Sequence, residues 1–228
     1  MLKLNESRDG QRPTRWGPIV WRVCFVLLLH HKGRKKRAEL FEFLKLFLVL
    51  LYCIFCRHSF NEFYDRSGIE YDSKRSLLDW FYELHEEVNR KLDKPAFPRE
   101  LIEQVYLTDT EEEKYWQNGR NSPLFDYCLW CILYLAALNF PPTIRKNNAQ
   151  DRAQQETFPK LLVQLPALVP GGSTREQLER CKPRAVTFLT RKQCFVTVYE
   201  WECAATGKSR FGSTSQQTAD YFEVHFRS

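Results

Sequence analysis

From Leu40 onward the apolar residues fall at Leu40, Phe43, Leu44, Phe47, Leu48, Leu51, Ile54 and Phe55, a spacing that an α-helix gathers into one wide face. Such a face is stable only when other helices cover it, so this stretch commits its part of the chain to a helical bundle. It carries Glu42 and Lys45 and is too short to cross a hydrocarbon layer about 30 Å thick, so it predicts a buried helix and no membrane span. The pattern runs on through Phe60, Phe63 and Tyr64 and breaks at Ser67-Gly68, which fits one long helix or two meeting near Tyr52.

Neighbouring segments supply the covering helices. Trp16-Gly17-Pro18, with Pro18 suited to a first turn, precedes an apolar run from Ile19 to Leu29 that Gly33 stops. A later helix, capped by Asp72 or Ser73, buries Leu77, Leu78, Phe81, Leu84, Val88 and Leu92, carries His85 on the same stripe and ends at Lys94-Pro95. Four helices within about 80 residues make a small bundle. The charged, mixed stretch from Ala96 to Asn121 reads as a connection. After it come an apolar helix from Leu124 to Phe140, a Pro141-Pro142 stop, an apolar run from Phe158 to Leu168 and Pro170-Gly171-Gly172. The tail from Phe188 to Phe226 mixes β-branched and aromatic residues without a settled period. The expectation is an all-α protein with a bundle over residues 14–97, a connecting segment over 98–121 and a second, mainly helical domain over 122–228.

Apolar residues make up 43% of the 228 positions and are spread along the chain, which excludes disorder and fibrous classes. The net charge of +6 is concentrated in His30-His31-Lys32-Gly33-Arg34-Lys35-Lys36-Arg37; a local run of this kind reads as a solvated loop, and no nucleic-acid partner is expected. Residues Met1 to Trp16 are charged throughout and do not form a secretory signal. Eight cysteines in a chain without such a signal point to redox or metal chemistry before a structural disulfide framework.

Two of them form Cys53-Ile54-Phe55-Cys56, the spacing of dithiol oxidoreductases, in which one helical turn lets two sulfurs close a disulfide and a helix start favours the thiolate. By itself the spacing also suits zinc or ordinary buried cysteines. Its surroundings decide between them: Trp16-Gly17-Pro18, Trp21, the CxxC, Trp80 and the run Leu84-His85-Glu86-Glu87-Val88-Asn89-Arg90-Lys91-Leu92-Asp93-Lys94-Pro95 resemble, in order and spacing, the Erv/ALR sulfhydryl oxidases, closest in pattern to the viral members. The resemblance covers Trp16 to Phe97. It implies a four-helix bundle holding FAD, with Cys56 beside the flavin, Cys53 exchanging with incoming thiols, and Trp16, Trp21, Trp80, His85, Asn89, Lys91 and Lys94 lining the cofactor. The implied reaction introduces disulfides into thiol-containing protein substrates, passing electrons through Cys53 and Cys56 to FAD and then to molecular oxygen, giving hydrogen peroxide. The rival reading is a non-catalytic scaffold with an oxidase-like fold that has lost FAD. No metal is expected. The compartment is the mitochondrial intermembrane space for a cellular protein, and host cytoplasm or virion for a viral one.

The chain departs from the family pattern at three places. Glu86 replaces an amide expected next to His85 and puts FAD affinity in question; Ser59 stands where a histidine often follows the second cysteine; and Tyr82 stands where cellular members have a structural cysteine. A second pair, Cys128-Leu129-Trp130-Cys131, lies in a wholly apolar helix and reads as core cysteines, with a shuttle disulfide or a zinc site shared with Cys53 and Cys56 as alternatives. The segment from Leu129 to Pro142 resembles the family's first helix, with Trp130 in the place of Trp21. Gly171 and Thr174 stand where the cysteines would be, and Phe195 to Phe211 faintly follows Phe81 to Phe97. The second half thus reads as a degenerate repeat without its redox pair, and the assembly as a homodimer or an intrachain pseudo-dimer.

Overall fold

The computed structural model describes residues 13–31, 36–50, 53–69, 76–107, 123–141, 148–170, 172–183 and 190–226. These form ten α-helices and no strand. The first half contains α1 (Pro13–His30), α2 (Arg37–Leu50), α3 (Ile54–Ser67), α4 (Leu77–Lys91) and α5 (Leu101–Leu107); the second contains α6 (Pro123–Leu138), α7 (Ala149–Leu168), α8 (Gly172–Cys181), α9 (Arg191–Thr206) and α10 (Ser215–Phe226). None of the described helices is long and apolar enough to cross a membrane. Residues 32–35 of the basic run, the Asp72-Ser73 cap, Pro142, most of the charged connection and Gly171 lie outside the described residues, as does the side chain of Thr174.

Several boundaries differ from the sequence expectation for identifiable reasons. Helix α1 begins at Pro13, where proline's missing N–H costs nothing, and Pro18 sits inside it. The apolar run from Leu40 divides into two helices, because Cys53 has extended backbone (φ −66°, ψ 110°) and caps α3. Helix α3 ends on Gly68 at φ 59°, a left-handed position that suits glycine. Helix α4 is capped by Ser76, whose Oγ accepts the Asp79 N–H at 3.4 Å, immediately before the apolar stripe begins. Within the expected connection, Leu101, Ile102, Val105 and Tyr106 recur at helical spacing and form α5, with Ile102 fully buried. In the tail, Thr190 and Gln193 make a reciprocal capping box that starts α9.

The two halves share one hydrophobic core. Helix α6 packs on α1 and α7 packs on α2. The α2 and α7 axes run antiparallel, since Gln150 at the start of α7 reaches Val49 at the end of α2, and Lys36 just before α2 reaches Ala167 at the end of α7. Similar aromatic clusters recur on both sides. Phe25 of α1 lies 5.3 Å from Phe81 of α4 and stacks on Tyr106 of α5 at 4.9 Å. Tyr134 of α6 lies 4.9 Å from Phe195 of α9 and 4.9 Å from Phe222 of α10. Helices α4 and α9 also end alike, on a left-handed residue followed by lysine: Asp93 (φ 53°) before Lys94 and Gly207 (φ 86°) before Lys208.

Candidate redox site

The break between α2 and α3 sets the geometry of the cysteine pair. Cys53 lies just ahead of the first turn of α3, where backbone N–H groups have no intrahelical partner, and its Sγ accepts the Cys56 N–H at 3.2 Å. That N–H and the partial positive charge of the helix start both favour a thiolate at Cys53. Both thiols are half-buried. The Cys56 thiol is pushed up, first by its hydrogen bond to Cys53 and then by burial, with Arg57 opposing.

Helix α4, which carries Trp80, His85, Asn89 and Lys91, runs antiparallel to α3. Lys91 near the end of α4 donates to Ser59 Oγ at 3.2 Å and to Glu62 at 3.1 Å on α3, three and six residues beyond Cys56. One and a half turns earlier, His85 is walled by aromatic rings: Trp21 at 4.7 Å, Phe25 at 5.7 Å and Phe97 at 5.9 Å, all edge-on. Asn89 lies one turn further along, its Nδ2 3.3 Å from His85 Nδ1. The charge of Lys94 reaches the His85 ring, while the Lys94 side chain is exposed. Trp16 is buried, and its indole Nε1 has no hydrogen-bond partner among the described residues. Trp21, His85, Asn89 and Lys94 are thus brought together along α1 and α4, while Lys91 faces Ser59 and Glu62 of α3.

Trp80 is placed elsewhere. Its ring is fully buried among Phe41, Phe60, Phe63 and Tyr64, and its Nε1 donates to Ser67 Oγ at 2.7 Å, so it cements α2, α3 and α4 from the core side. Tyr82 donates its hydroxyl to the Phe97 carbonyl at 2.8 Å, and on this side of the bundle Arg66 and Glu87 join α3 to α4 through a 2.7 Å ion pair.

Glu86 has a part that its sequence position did not reveal. Its Oε1 accepts from His85 Nδ1 at 2.9 Å and from Asn89 Nδ2 at 3.1 Å, and its Oε2 accepts the Phe97 N–H at 3.0 Å. One carboxylate thereby fixes the His85 ring, the Asn89 amide and the loop after α4. Phe25 and Phe97 likewise escaped the sequence reading as site residues; the only available signal was their aromatic character beside Trp21 and Pro95.

His85 is held below the ordinary histidine range, mainly by burial and also by Lys94, although Glu86 pulls in the opposite direction. His31 is held down too, by burial first. Folded chains thus bind fewer protons at these positions than unfolded ones, whose histidines titrate near about 6.5. The associated stability is present above that pH and is lost as pH falls through the lower folded values. Melting temperature should therefore drop on acidification from pH 7.5 to 5, and His85→Leu should flatten the slope. An unchanged slope in that variant would show that His85 is not held neutral.

Cys128 and Cys131 lie in the core of the second half at 3% and 0% exposure, and burial pushes the Cys131 thiol up. Among the described residues no group of three or more His, Cys, Asp or Glu side chains could hold a metal ion.

Residues 19–107 match the model of the Erv1 / Alr family. Over 94 residues the chain is 22% identical to an FAD-linked sulfhydryl oxidase of African swine fever virus, spanning 40% of this chain and 79% of that protein. Over 85 residues it is 30% identical to the mitochondrial FAD-linked sulfhydryl oxidase ERV1 of Saccharomyces cerevisiae, spanning 37% of this chain and 40% of the yeast protein. No solved structure matches the chain significantly.

Proposed function

From the premise that residues 19–107 form an Erv1 / Alr segment, we propose that this chain is an FAD-dependent thiol oxidase that introduces disulfides into protein substrates. The observation that carries the reading is Cys53 at the head of α3 with its sulfur on the Cys56 N–H, in a bundle whose α1 and α4 hold the His85 cluster.

The residues present fit an FAD. The indole Nε1 of Trp16 is a buried donor with no acceptor among the described residues, Trp21 and neutral His85 offer ring faces and edges, Asn89 offers an amide, and Lys91 and Lys94 suit a pyrophosphate. Glu86 is not left as a bare carboxylate, because its oxygens accept from His85, Asn89 and the Phe97 N–H. That pairing favours the oxidase over a scaffold that has lost its cofactor.

In the proposed reaction a substrate thiolate attacks Cys53 Sγ of the Cys53–Cys56 disulfide, and Cys56 leaves as a thiolate. The second substrate thiol, deprotonated, attacks the substrate sulfur of the mixed disulfide; Cys53 leaves as a thiolate stabilised by the Cys56 N–H and the start of α3. The substrate is now oxidised and the pair carries its two electrons. Bound FAD would supply the electron acceptor through which the Cys53 and Cys56 thiols could close again to a disulfide, with oxygen as the final acceptor and hydrogen peroxide as product. Trp80 holds α3 against α4 so that the pair and the His85 cluster keep their spacing.

The same reading takes residues 14–97 as the oxidase domain, extended by the α5 contact to Phe25, and residues 122–228 as a redox-dead repeat that covers it as an intrachain pseudo-dimer. The recurring aromatic clusters and the pairing of α1 with α6 and α2 with α7 support this.

The test is the absorbance of the purified protein. Flavin bands at close to one FAD per chain are expected, and a colourless protein that takes up no added FAD would return the chain to the scaffold reading. His85→Ala should lower FAD affinity about tenfold, through lost ring contact and a lost hydrogen bond, with helicity unchanged. Unaltered flavin retention would leave His85 as a packing residue.

A further inference from the structure

The carbonyl end of α2 is held by the second half of the chain. Val49 lies in the last turn of α2, where carbonyls have no intrahelical partner, and its oxygen accepts from Gln150 Nε2 at 3.0 Å and from Gln154 Nε2 at 3.3 Å. Both amides come from one face of α7, one turn apart. Four residues beyond Val49 the chain reaches Cys53, which has left helical geometry to cap α3. The clamped Val49 carbonyl thus lies four residues before the cap that holds the Cys53 sulfur on the Cys56 N–H.

The arrangement is reciprocal. His31 Nε2 donates to the Leu168 carbonyl at 2.6 Å, and Lys36 Nζ donates to the Ala167 carbonyl, so the first half caps the end of α7 as the second caps the end of α2. Helix α7 leads to Val169-Pro170, which carries no thiol, whereas α2 leads to the cysteine pair. One of the two clamps therefore bears on chemistry.

We propose that the second half positions the redox pair, with Gln150 and Gln154 as positioning residues that fix the end of α2 and, through it, Cys53 at the head of α3. The inference rests on the redox role of Cys53 and Cys56. With the clamp in place, the reduced Cys53 sulfur is held against the Cys56 N–H; without it, the segment samples placements in which that N–H and the helix start no longer favour the thiolate. The dithiol form is then less stable and the disulfide more favoured.

The experiment uses the full chain with Gln150→Met and Gln154→Met together, which keeps side-chain length and removes both donors. Gln155→Met is the control, since the Gln155 amide on the same helix donates to the Pro141 carbonyl instead. Reduced protein is treated with limiting iodoacetamide at neutral pH, and labelling of Cys53 is followed by peptide mass spectrometry. Loss of the clamp should slow labelling of Cys53 by about three- to tenfold and shift its equilibrium with glutathione toward the disulfide by a similar factor, with the control like wild type. Unchanged labelling in a folded double variant overturns the proposal, as does equal slowing in the control. Should the double variant fail to fold, Gln150→Met alone, at a half-buried position, decides in the same way. Labelling needs no flavin, so a colourless protein would defeat the oxidase reading and leave this measurement intact.

Discussion

Serine at position 53 or at position 56 is expected to take dithiol-driven oxygen consumption down by about 10³-fold or more, to the level of the uncatalysed reaction. On the proposed reaction the two cysteines act as one unit: without Cys53 an incoming thiol has no accessible sulfur to attack, and without Cys56 there is no Cys53–Cys56 disulfide for it to attack. The loss is chemical, with little cost to the fold. Serine is a favoured N-cap, so Cys53→Ser keeps an acceptor for the position 56 N–H and α3 keeps its start. Neither side chain contributes a buried aromatic or aliphatic contact of the size that holds α3 to Trp80. Cys53→Ser is accordingly expected to retain flavin at the wild-type ratio while consuming no oxygen, and the pair of measurements separates a dead enzyme from an unfolded one. Wild-type turnover in either variant would sink the assignment of Cys53 and Cys56 as the redox pair.

What the sequence made legible follows from which signals are local. The stripe from Leu40 to Tyr64 and the stripe from Leu77 to Leu92 are periodic and uninterrupted, and α2, α3 and α4 lie where that periodicity places them. The break at Cys53 was ambiguous, because a cysteine is a less common cap than serine or aspartate and the apolar pattern runs straight through it. Helix α9 was hidden for a different reason. Its buried face includes Arg191, Cys194 and Glu202 among Phe195, Val198 and Trp201, so charged residues sit on the core side and blur the contrast on which periodicity depends. Glu202 is tolerated there because Tyr134 donates its hydroxyl to it at 2.7 Å and the Arg210 N–H donates at 3.0 Å.

At the site, residue types were legible and partnerships were not. A histidine and an asparagine one turn apart on an apolar face are visible in the sequence, but that Glu86 reaches both, and also the N–H of Phe97, depends on how the loop after α4 returns. Sequence alone made Glu86 a threat to cofactor affinity; its three partners make it part of the scaffold that holds His85. Trp80 illustrates the converse. Its place in a motif suggested a cofactor wall, whereas its neighbours are Phe41, Phe60, Phe63 and Tyr64.

A chain ended after Asn121 is expected to precipitate or self-associate. Seven consecutive residues of α1, Val23 through Leu29, are 0–4% exposed, so the helix is covered on every side, and a helix apolar all round needs neighbours all round. Helices α4 and α5 cover part of it, and α6 covers another part; α7 covers α2 in the same way. Truncation uncovers those faces together and removes the clamp on the end of α2. Each large apolar side chain returned to water costs about 1.5–3 kcal/mol, against a total stability of about 5–15 kcal/mol for an ordinary domain, so exposing half a dozen consumes most of the margin. A contiguous apolar surface of that kind is also an association surface. Sedimentation of the truncated chain distinguishes the outcomes. Aggregates or a dimer of defined mass support the second half as the cover, the dimer in addition showing that the exposed face is self-complementary, as a pseudo-twofold pairing of α1 with α6 and α2 with α7 requires. A soluble monomer that melts cooperatively near the full-length temperature would mean that the first half folds without its cover, and the pseudo-dimer would lose its basis.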